Sequence, residues 1–304
     1  MGPVIALLLL TSSPPAAAER LNGFDLSGML VPRESVLRGG PPRDGIPALT
    51  DPKFVPAERS GLGPQDRVVG VKLGGAAKAY PLRILNWHEV VNDAVTGRRV
   101  VVTYCPLCGT AMVFDAQAGG RRRTFGVSGL LYNSDVLLYD RESESLWSHL
   151  MRKAVSGPAK GAELVQIPGR HTTWREWLQE NPETTVLSFE TGMPRDYGRD
   201  PYAGYGSNEA VFFPIGHSDR RLAAKEWILG LALDGKTKAY PLKDCPEKGI
   251  EDRVAGREIS VRCKRADRSG YVLDKDGVEL PSTQAYWFAW SAFHPDTELQ
   301  GDPK

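Results

Sequence analysis

An internal repeat constrains the fold of this 304-residue chain more than any other feature. Residues 68–82, VVGVKLGGAAKAYPL, align with residues 228–242, ILGLALDGKTKAYPL, and eight of the 15 positions are identical. After a one-residue slip the match resumes, and residues 97–115 correspond to residues 256–274. Self-similarity of this kind indicates that one supersecondary unit occurs twice.

Each unit contains a strand, a glycine turn, a second strand ending in Ala-Tyr-Pro-Leu, a connector and a two-stranded hairpin. In the first connector, residues 82–93, His88 and the apolar residues share one face of a predicted helix. Pro246 and Gly249 interrupt that pattern in the second connector. We therefore predict a β-rich α+β fold, in which two related strand–helix–hairpin units pack with an inserted β region.

The repeat divides the chain into consecutive segments that we expect to form one compact body. A capping box at Thr173 predicts a short helix that ends at Asn181, inside the inserted region. The predicted segments are a signal peptide (1–18), an extended lead-in (19–60), repeat unit one (61–123), an inserted β-rich region (124–220), and repeat unit two with a C-terminal aromatic segment (221–304).

The first residues predict export. An apolar run over residues 4–10 precedes the small residues Ala16 to Ala18, as in a secretory signal peptide cleaved after Ala18. The start has no Lys or Arg, so a disordered tail or a misplaced start codon is the alternative. The run is too short to anchor the chain in a membrane. We expect a periplasmic or extracellular protein with no transmembrane segment after signal removal.

The charge balance argues against a polyanion binder. The chain has 38 Lys and Arg against 37 Asp and Glu, with no basic run. A nucleic-acid partner needs a basic surface, so none is expected. The expected partner is a small molecule or a metal ion.

The turn Cys105-Pro-Leu-Cys108-Gly109 lies between two strand-like runs. Thioredoxin-like proteins place such a pair at a helix N-terminus, whereas a turn between strands resembles the knuckle of zinc ribbons and rubredoxins. In the second unit the cysteines align with Lys264 and Asp267. Because the pair occurs in one copy only, it is a better candidate for chemistry than for the scaffold.

A metal site on this turn needs further ligands, because the chain has no second Cys-x-x-Cys. We predict Cys105, Cys108 and His88 as ligands, since His88 should face inward. Two thiolates and an imidazole suit copper or zinc. The alternative for His88 is a buried histidine satisfied by a backbone partner. The other histidines are weaker candidates, and the last two are expected in surface loops: His149, His294, His171 and His217.

Two other groups of residues leave alternatives open. Cys245 and Cys263 could pair with each other in an oxidising compartment. The polar residues in GVSGLLYNSD (126–135) could line a pocket or build a turn, and we favour the turn.

The functional hypothesis is an exported protein of uncharacterised activity with a copper or zinc site, for metal handling or metal-assisted catalysis. One alternative is an enzyme that uses Cys105 and Cys108 for thiol redox or nucleophilic chemistry. Another is a non-catalytic binding module, with an inert Cys105–Cys108 disulfide and a ligand surface formed by residues 286–293. Core packing is the competing interpretation of that aromatic segment.

Several motifs together resemble the bacterial and archaeal domain-of-unknown-function 3179 family, over roughly residues 38–297. They are GGPPRDGIPA (39–48), AYPLRILNWHEVVND (79–93), VTYCPLCGTA (102–111), FGVSGLLYNSD (125–135), YDRESESLW (139–147) and AYWFAWSAFHP (285–295). The resemblance implies an exported protein and carries no established activity. His149 stands where the family pattern has Gln, which makes it a poor ligand candidate.

Overall fold

The computed structural model describes residues 20–302, so the predicted signal peptide, residues 1–18, lies outside the described residues. Short helices and many short strands make up the described chain. The α-helices are α1 (Leu82–His88), α2 (Trp174–Glu180) and α3 (Trp287–Phe293), with 3-10 turns at Arg33–Ser35 and Ala57–Arg59.

The strands of the first half are β1 (Arg20–Leu21), β2 (Phe24–Asp25), β3 (Val36–Arg38), β4 (Leu49–Thr50), β5 (Phe54–Pro56), β6 (Arg67–Leu73), β7 (Ala76–Pro81), β8 (Val90–Val95), β9 (Arg98–Cys105), β10 (Thr110–Asp115), β11 (Gln117–Ala118), β12 (Arg121–Arg122), β13 (Phe125–Tyr132), β14 (Asp135–Asp140) and β15 (Leu146–Ser148). Those of the second half are β16 (Lys153–Ala154), β17 (Gln166–Ile167), β18 (Arg170–Thr173), β19 (Thr185–Leu187), β20 (Trp227–Leu233), β21 (Lys236–Pro241), β22 (Ile250–Val254), β23 (Arg257–Lys264), β24 (Ser269–Asp274), β25 (Glu279–Leu280), β26 (Thr283–Tyr286) and β27 (Glu298–Leu299).

Five sheets organise residues 20–302, and they resemble the blades of a five-bladed β-propeller. In order of hydrogen-bonded neighbours, sheet I is β18-β6-β7-β19-β5, sheet II is β17-β10-β9-β8-β4, and sheet III is β16-β15-β14-β13-β3. Sheet IV is β26-β20-β21-β27 and sheet V is β22-β23-β24-β25. Two-stranded ribbons, β1-β2 and β11-β12, accompany them.

The predicted α+β fold of two strand–helix–hairpin units is therefore wrong. Each predicted unit is divided between two sheets, because its connector leads from one sheet to the next. The first unit gives β6 and β7 to sheet I and β8 to β10 to sheet II. The second gives β20 and β21 to sheet IV and β22 to β24 to sheet V.

The helix predicted over residues 82–93 is correct only as far as His88. Glu89 takes a left-handed conformation, with φ at 56°, and its backbone N–H donates to the carbonyl of Leu85 at 2.8 Å. Val90 then begins β8, which pairs with β9. β-Branched valines favour the extended chain, and the new strand buries them between sheets. The connector is thus a seven-residue helix followed by a strand.

Two matched hairpins show how helices α2 and α3 are seated. In β6-β7 and β20-β21 the register is the same, with Gly70 opposite Ala79 and Gly230 opposite Ala239. A Cβ on Gly70 would lie 2.2 Å from the indole of Trp177, and one on Gly230 would lie 2.4 Å from an indole of α3. Only glycine leaves space for these rings.

A threonine fixes each of these indoles. Trp177 Nε1 donates to Thr184 Oγ1 at 2.9 Å, and Trp290 Nε1 donates to Thr297 Oγ1 at 3.0 Å. As predicted, Thr173 caps α2, accepting from the backbone N–H of Glu176 at 3.3 Å. The aromatic segment 286–293 is the end of β26 and α3, and most of it is buried.

A disulfide joins Cys245 to Cys263 in the core of sheet V, across a sequence separation of 18 residues. Cys105 and Cys108 are free thiols. Among residues 20–302, none of the helices is long and apolar enough to cross a membrane.

Candidate metal centre

The cysteine turn joins the last residue of β9 to the first residue of β10, which confirms the predicted order of strand, turn and strand. The backbone N–H of Cys108 donates to the carbonyl of Cys105 at 3.2 Å and closes the turn. Gly109 has φ at +61°, and a Cβ there would lie 2.5 Å from the indole of Trp227. Glycine is therefore required both by the backbone and by the neighbouring ring. Both cysteines are buried in the core between sheets II and III.

A second tight turn, between β13 and β14, meets the cysteine turn. Asn133 and Ser134 both have left-handed backbones, with φ at 51° and 63°, as a two-residue type I′ hairpin requires. Asn133 and Ser134 of the polar cluster thus build a turn, as favoured from the sequence, whereas Asp135 lies beyond it. The Cys108 thiol donates to the carbonyl of Ser134, with Sγ 3.3 Å from the oxygen. The next residue, Asp135, begins β14 and is fully buried.

These two turns bring Cys105, Cys108 and Asp135 together. The two sulfur atoms and one carboxylate oxygen all lie within 4.8 Å of one another. Ligands about 2.3 Å from a tetrahedral ion lie roughly 3.8 Å apart, so a small inward adjustment would let all three coordinate one ion. The donor set fits a transition-metal ion, and Asp135 was not among the ligands predicted from the sequence. In the sequence, the one indication of a role for Asp135 was its position directly after the Asn133-Ser134 turn.

Both oxygens of the Asp135 carboxylate are held in place. His149 Nδ1 lies 3.1 Å from Oδ1, and the backbone N–H of Leu150 donates to Oδ2 at 3.0 Å. The other ring nitrogen of His149, Nε2, lies 2.8 Å from Thr103 Oγ1. Ligating carboxylates are commonly oriented by such outer hydrogen bonds. His149 therefore positions Asp135 and is not itself in the group.

The structure does not bring His88 into this group. The ring is buried, as the helix periodicity predicted, but Nδ1 lies 2.6 Å from the carbonyl oxygen of Pro47. Its Nε2 lies 2.6 Å from the hydroxyl of Tyr197. Burial lowers the pKa of His88 below its usual value. Because both ring nitrogens have protein partners, neither is free to bind an ion in this arrangement.

Burial dominates the electrostatics of the thiols. It raises the pKa of Cys105, which the hydrogen bond from Cys108 offsets only in part. Burial and the hydrogen bond to Cys105 raise the pKa of Cys108 well above its usual value, and the Asp135 carboxylate adds to both effects. A reactive thiol needs a lowered pKa, so this environment disfavours nucleophilic or redox chemistry by either cysteine. A bound cation reverses this effect, because coordination deprotonates a thiol.

Polar groups surround the cluster. Burial raises the pKa of Glu89 to about 8, and the hydroxyl of Tyr202 donates to its Oε1 at 3.4 Å. Ser134 Oγ and the hydroxyl of Tyr205 are buried without a hydrogen-bond partner among the described residues. Tyr205 packs in the same core as the two thiols. Since buried polar atoms are normally satisfied, these two indicate that a further polar group belongs in this region.

Comparison with known proteins identifies one family. A family model described as "Protein of unknown function (DUF3179)" matches residues 43–279. No curated protein and no solved structure matches the chain.

Proposed function

This chain belongs to the DUF3179 family of proteins of unknown function, and from that premise we propose that it carries a mononuclear transition-metal site on the CPLC turn. The proposed ligands are Cys105, Cys108 and Asp135. One observation supports the proposal above all others: three buried groups that can ionise converge within 4.8 Å from two different sheets.

The donor set favours zinc over copper. Cu(I) selects soft sulfur ligands, whereas Zn²⁺ accepts thiolates and carboxylates in the same tetrahedral site. Two thiolates and one carboxylate bring three negative charges into a buried place. Buried charges of one sign are costly unless a cation balances them, and a divalent ion offsets more of this charge than a monovalent one.

We further propose metal-assisted catalysis on a small molecule as the role of this site. Three protein ligands leave a fourth position for substrate or water, which is typical of catalytic zinc sites. A zinc ion held there would supply a Lewis acid. His149 keeps the Asp135 carboxylate in one orientation, and Glu89 keeps a proton near neutral pH beside the cluster. Tyr205 helps to exclude water from the thiols.

Export is part of the same proposal. The Cys245–Cys263 disulfide supports an oxidising compartment, since such bonds persist mainly outside the cytoplasm. The leader-like residues 1–18 lie outside the described residues and stay a prediction.

Metal analysis tests the proposal. After anaerobic purification of the chain, elemental mass spectrometry should find close to one zinc per molecule. The Cys105→Ser/Cys108→Ser and Asp135→Asn variants should lose it while keeping their circular dichroism spectra. Asp115→Asn, at the far end of β10, makes the same change of charge and should keep the metal. His88→Gln should keep it too.

The metal proposal fails if wild-type protein contains no stoichiometric transition metal, or if the double cysteine variant keeps its metal. A dithiol–disulfide couple is then the second candidate, because both thiols are free and only two residues separate them in one turn. It predicts a reversible Cys105–Cys108 disulfide, detectable by mass spectrometry of the oxidised chain without reductant.

A further inference from the structure

A cavity of about 660 Å³ lies beside the cysteine turn, where sheets I and IV meet the β23-β24 turn of sheet V. This volume is typical of sites for small molecules. Tyr104, which precedes Cys105, and Trp227, which packs on Gly109, form part of its wall. The cavity is therefore separate from the buried cluster but adjacent to it.

A guanidinium without a carboxylate partner lies in this wall. Arg67 donates to three backbone carbonyls, those of Asp267, His171 (3.1 Å) and Arg268 (3.4 Å). Within residues 20–302 no carboxylate forms an ion pair with it. Of its five N–H groups two remain after these three bonds. Burial lowers the pKa of Arg67 to about 10, so the group is still a cation at neutral pH.

His171 adds an unsatisfied polar ring to the same wall. It was predicted in a surface loop, but it lies in β18 opposite Val69 and is only 4% exposed. Neither ring nitrogen has a hydrogen-bond partner among the described residues. Its ring packs edge-on against Tyr104 and Trp227, with centroids 5.9 and 5.4 Å away. Burial and the charge of Arg67 hold the pKa of His171 well below its usual value, so the neutral ring offers one donor and one acceptor.

The charges around the cavity favour an anion. Besides Arg67, the residues Arg199 and Arg268 line it, and neither has an ion-pair partner in the part of the chain that the structure describes. A fourth lining arginine, Arg83, lies 3.5 Å from the carboxylate of Asp66. Asp200 is the other acidic residue of the lining, so four arginines and two aspartates line the cavity.

We propose that this cavity binds a small organic molecule that carries a carboxylate or phosphate group. Arg67 is the anchor for the anionic group, because a guanidinium forms strong charge-assisted hydrogen bonds with carboxylates and phosphates, and its Nε–H and one Nη1–H are not used in the three carbonyl bonds. Arg199 and Arg268 attract the anion from the solvent side, since both are exposed. The rings of Tyr104 and Trp227 pack against the organic part. This proposal does not depend on the metal site.

Calorimetry on the full chain tests it with three probes of similar shape: benzoate, phenyl phosphate and neutral benzamide. At least one anion should bind, at least tenfold more tightly than benzamide, and the stronger anion identifies the preferred group. Arg67→Gln should weaken its binding at least tenfold, and Arg268→Gln should weaken it severalfold. Arg121→Gln removes an exposed arginine from ribbon β11-β12 and should change nothing.

Arg67 also donates hydrogen bonds to three backbone carbonyls, so the Arg67→Gln variant could fail to fold. In that case the binding of the probes to Arg268→Gln decides the test. The proposal is overturned if neither anion binds at millimolar concentration, if benzamide binds equally well, or if Arg268→Gln and a folded Arg67→Gln bind like wild type. The Cys105→Ser/Cys108→Ser variant should keep anion binding, which separates this outcome from that of the metal proposal.

Discussion

Replacing Glu89 by Gln should stabilise the chain by an amount that depends on pH. Burial raises the pKa of this carboxyl from 4.5 to about 8 in the folded chain, with the charge of Asp135 as a smaller contribution. Below pH 4.5 both folded and unfolded chains hold the proton, and the group contributes nothing. Between pH 4.5 and 8 only the unfolded chain releases it, so wild-type stability falls as the pH rises.

The size of the effect follows from the two pKa values. The pKa of Glu89 is 4.5 in the unfolded chain and about 8 in the folded chain. At roughly 1.4 kcal/mol for each tenfold change in affinity, Glu89 costs the folded chain about 5 kcal/mol above pH 8. Glu89→Gln cannot ionise and escapes this cost. The stability difference between variant and wild type should therefore grow by about 5 kcal/mol between pH 4.5 and 8.5.

Urea unfolding of both proteins, without metal and under argon, measures this difference at several pH values. Other titrating groups, including His171, contribute equally to the unfolding free energies of both proteins. Their contributions cancel when the variant is compared with wild type at each pH. Glu258→Gln, at an exposed ion pair with Arg253, is the control and should show no trend. A difference that stays constant within about 1 kcal/mol refutes the argument that Glu89 is buried as a neutral acid.

Three further predictions test the rest of the structure. Cys245→Ser/Cys263→Ser should lower the unfolding free energy by about 3 kcal/mol, the loop-closure value for this spacing, and equal urea midpoints with and without the bond would contradict it. Gly230→Ala should cost about 1–3 kcal/mol in the same assay because the methyl group overlaps Trp290, and an unchanged midpoint would exclude that packing. His149→Gln should keep the metal content, since an amide can also donate a hydrogen bond to the Asp135 carboxylate. His149→Leu should lower zinc affinity about 10- to 100-fold in a chelator competition. Equal zinc affinity in the two variants would show that His149 does not position Asp135.

Local sequence patterns predicted local structure well. The cap at Thr173, the cysteine turn and the Asn133-Ser134 turn each depend on a few neighbouring residues, and all three occur as expected. The sheets were not predictable in this way. β17 joins β10 and β26 joins β20 only after long intervening segments, and pairing over such distances leaves no local pattern.

One long-range signal was present in the sequence and was missed. Trp174 and Trp177 of α2 match Trp287 and Trp290 of α3, and in both cases a proline follows the helix. This match has a different offset from that of the repeated strands, because the helices follow their hairpins at different distances along the chain. An alignment at one offset therefore found the hairpins and not the helices that cover them.

The site was only partly predictable, because several of its contacts join residues that are far apart in the sequence. Helix periodicity placed His88 inside the protein, but Pro47 and Tyr197, which occupy its nitrogens, come from distant segments. Asp135 belongs to a different sheet from the cysteines, so its distance from them depends on how two sheets pack. Residue spacing carries no information about that packing.

The order of the strands along the chain bears on how the protein reaches its final state. Along the chain, strands β22 to β25 of sheet V come between β20-β21 and β26-β27 of sheet IV. Strand β27 forms a parallel pair with β21. Sheet IV is thus completed only by the last strand of residues 20–302. In a chain that crosses a membrane with its N-terminal side first, sheet IV would stay open until β27 emerged, so this sheet would close on the far side.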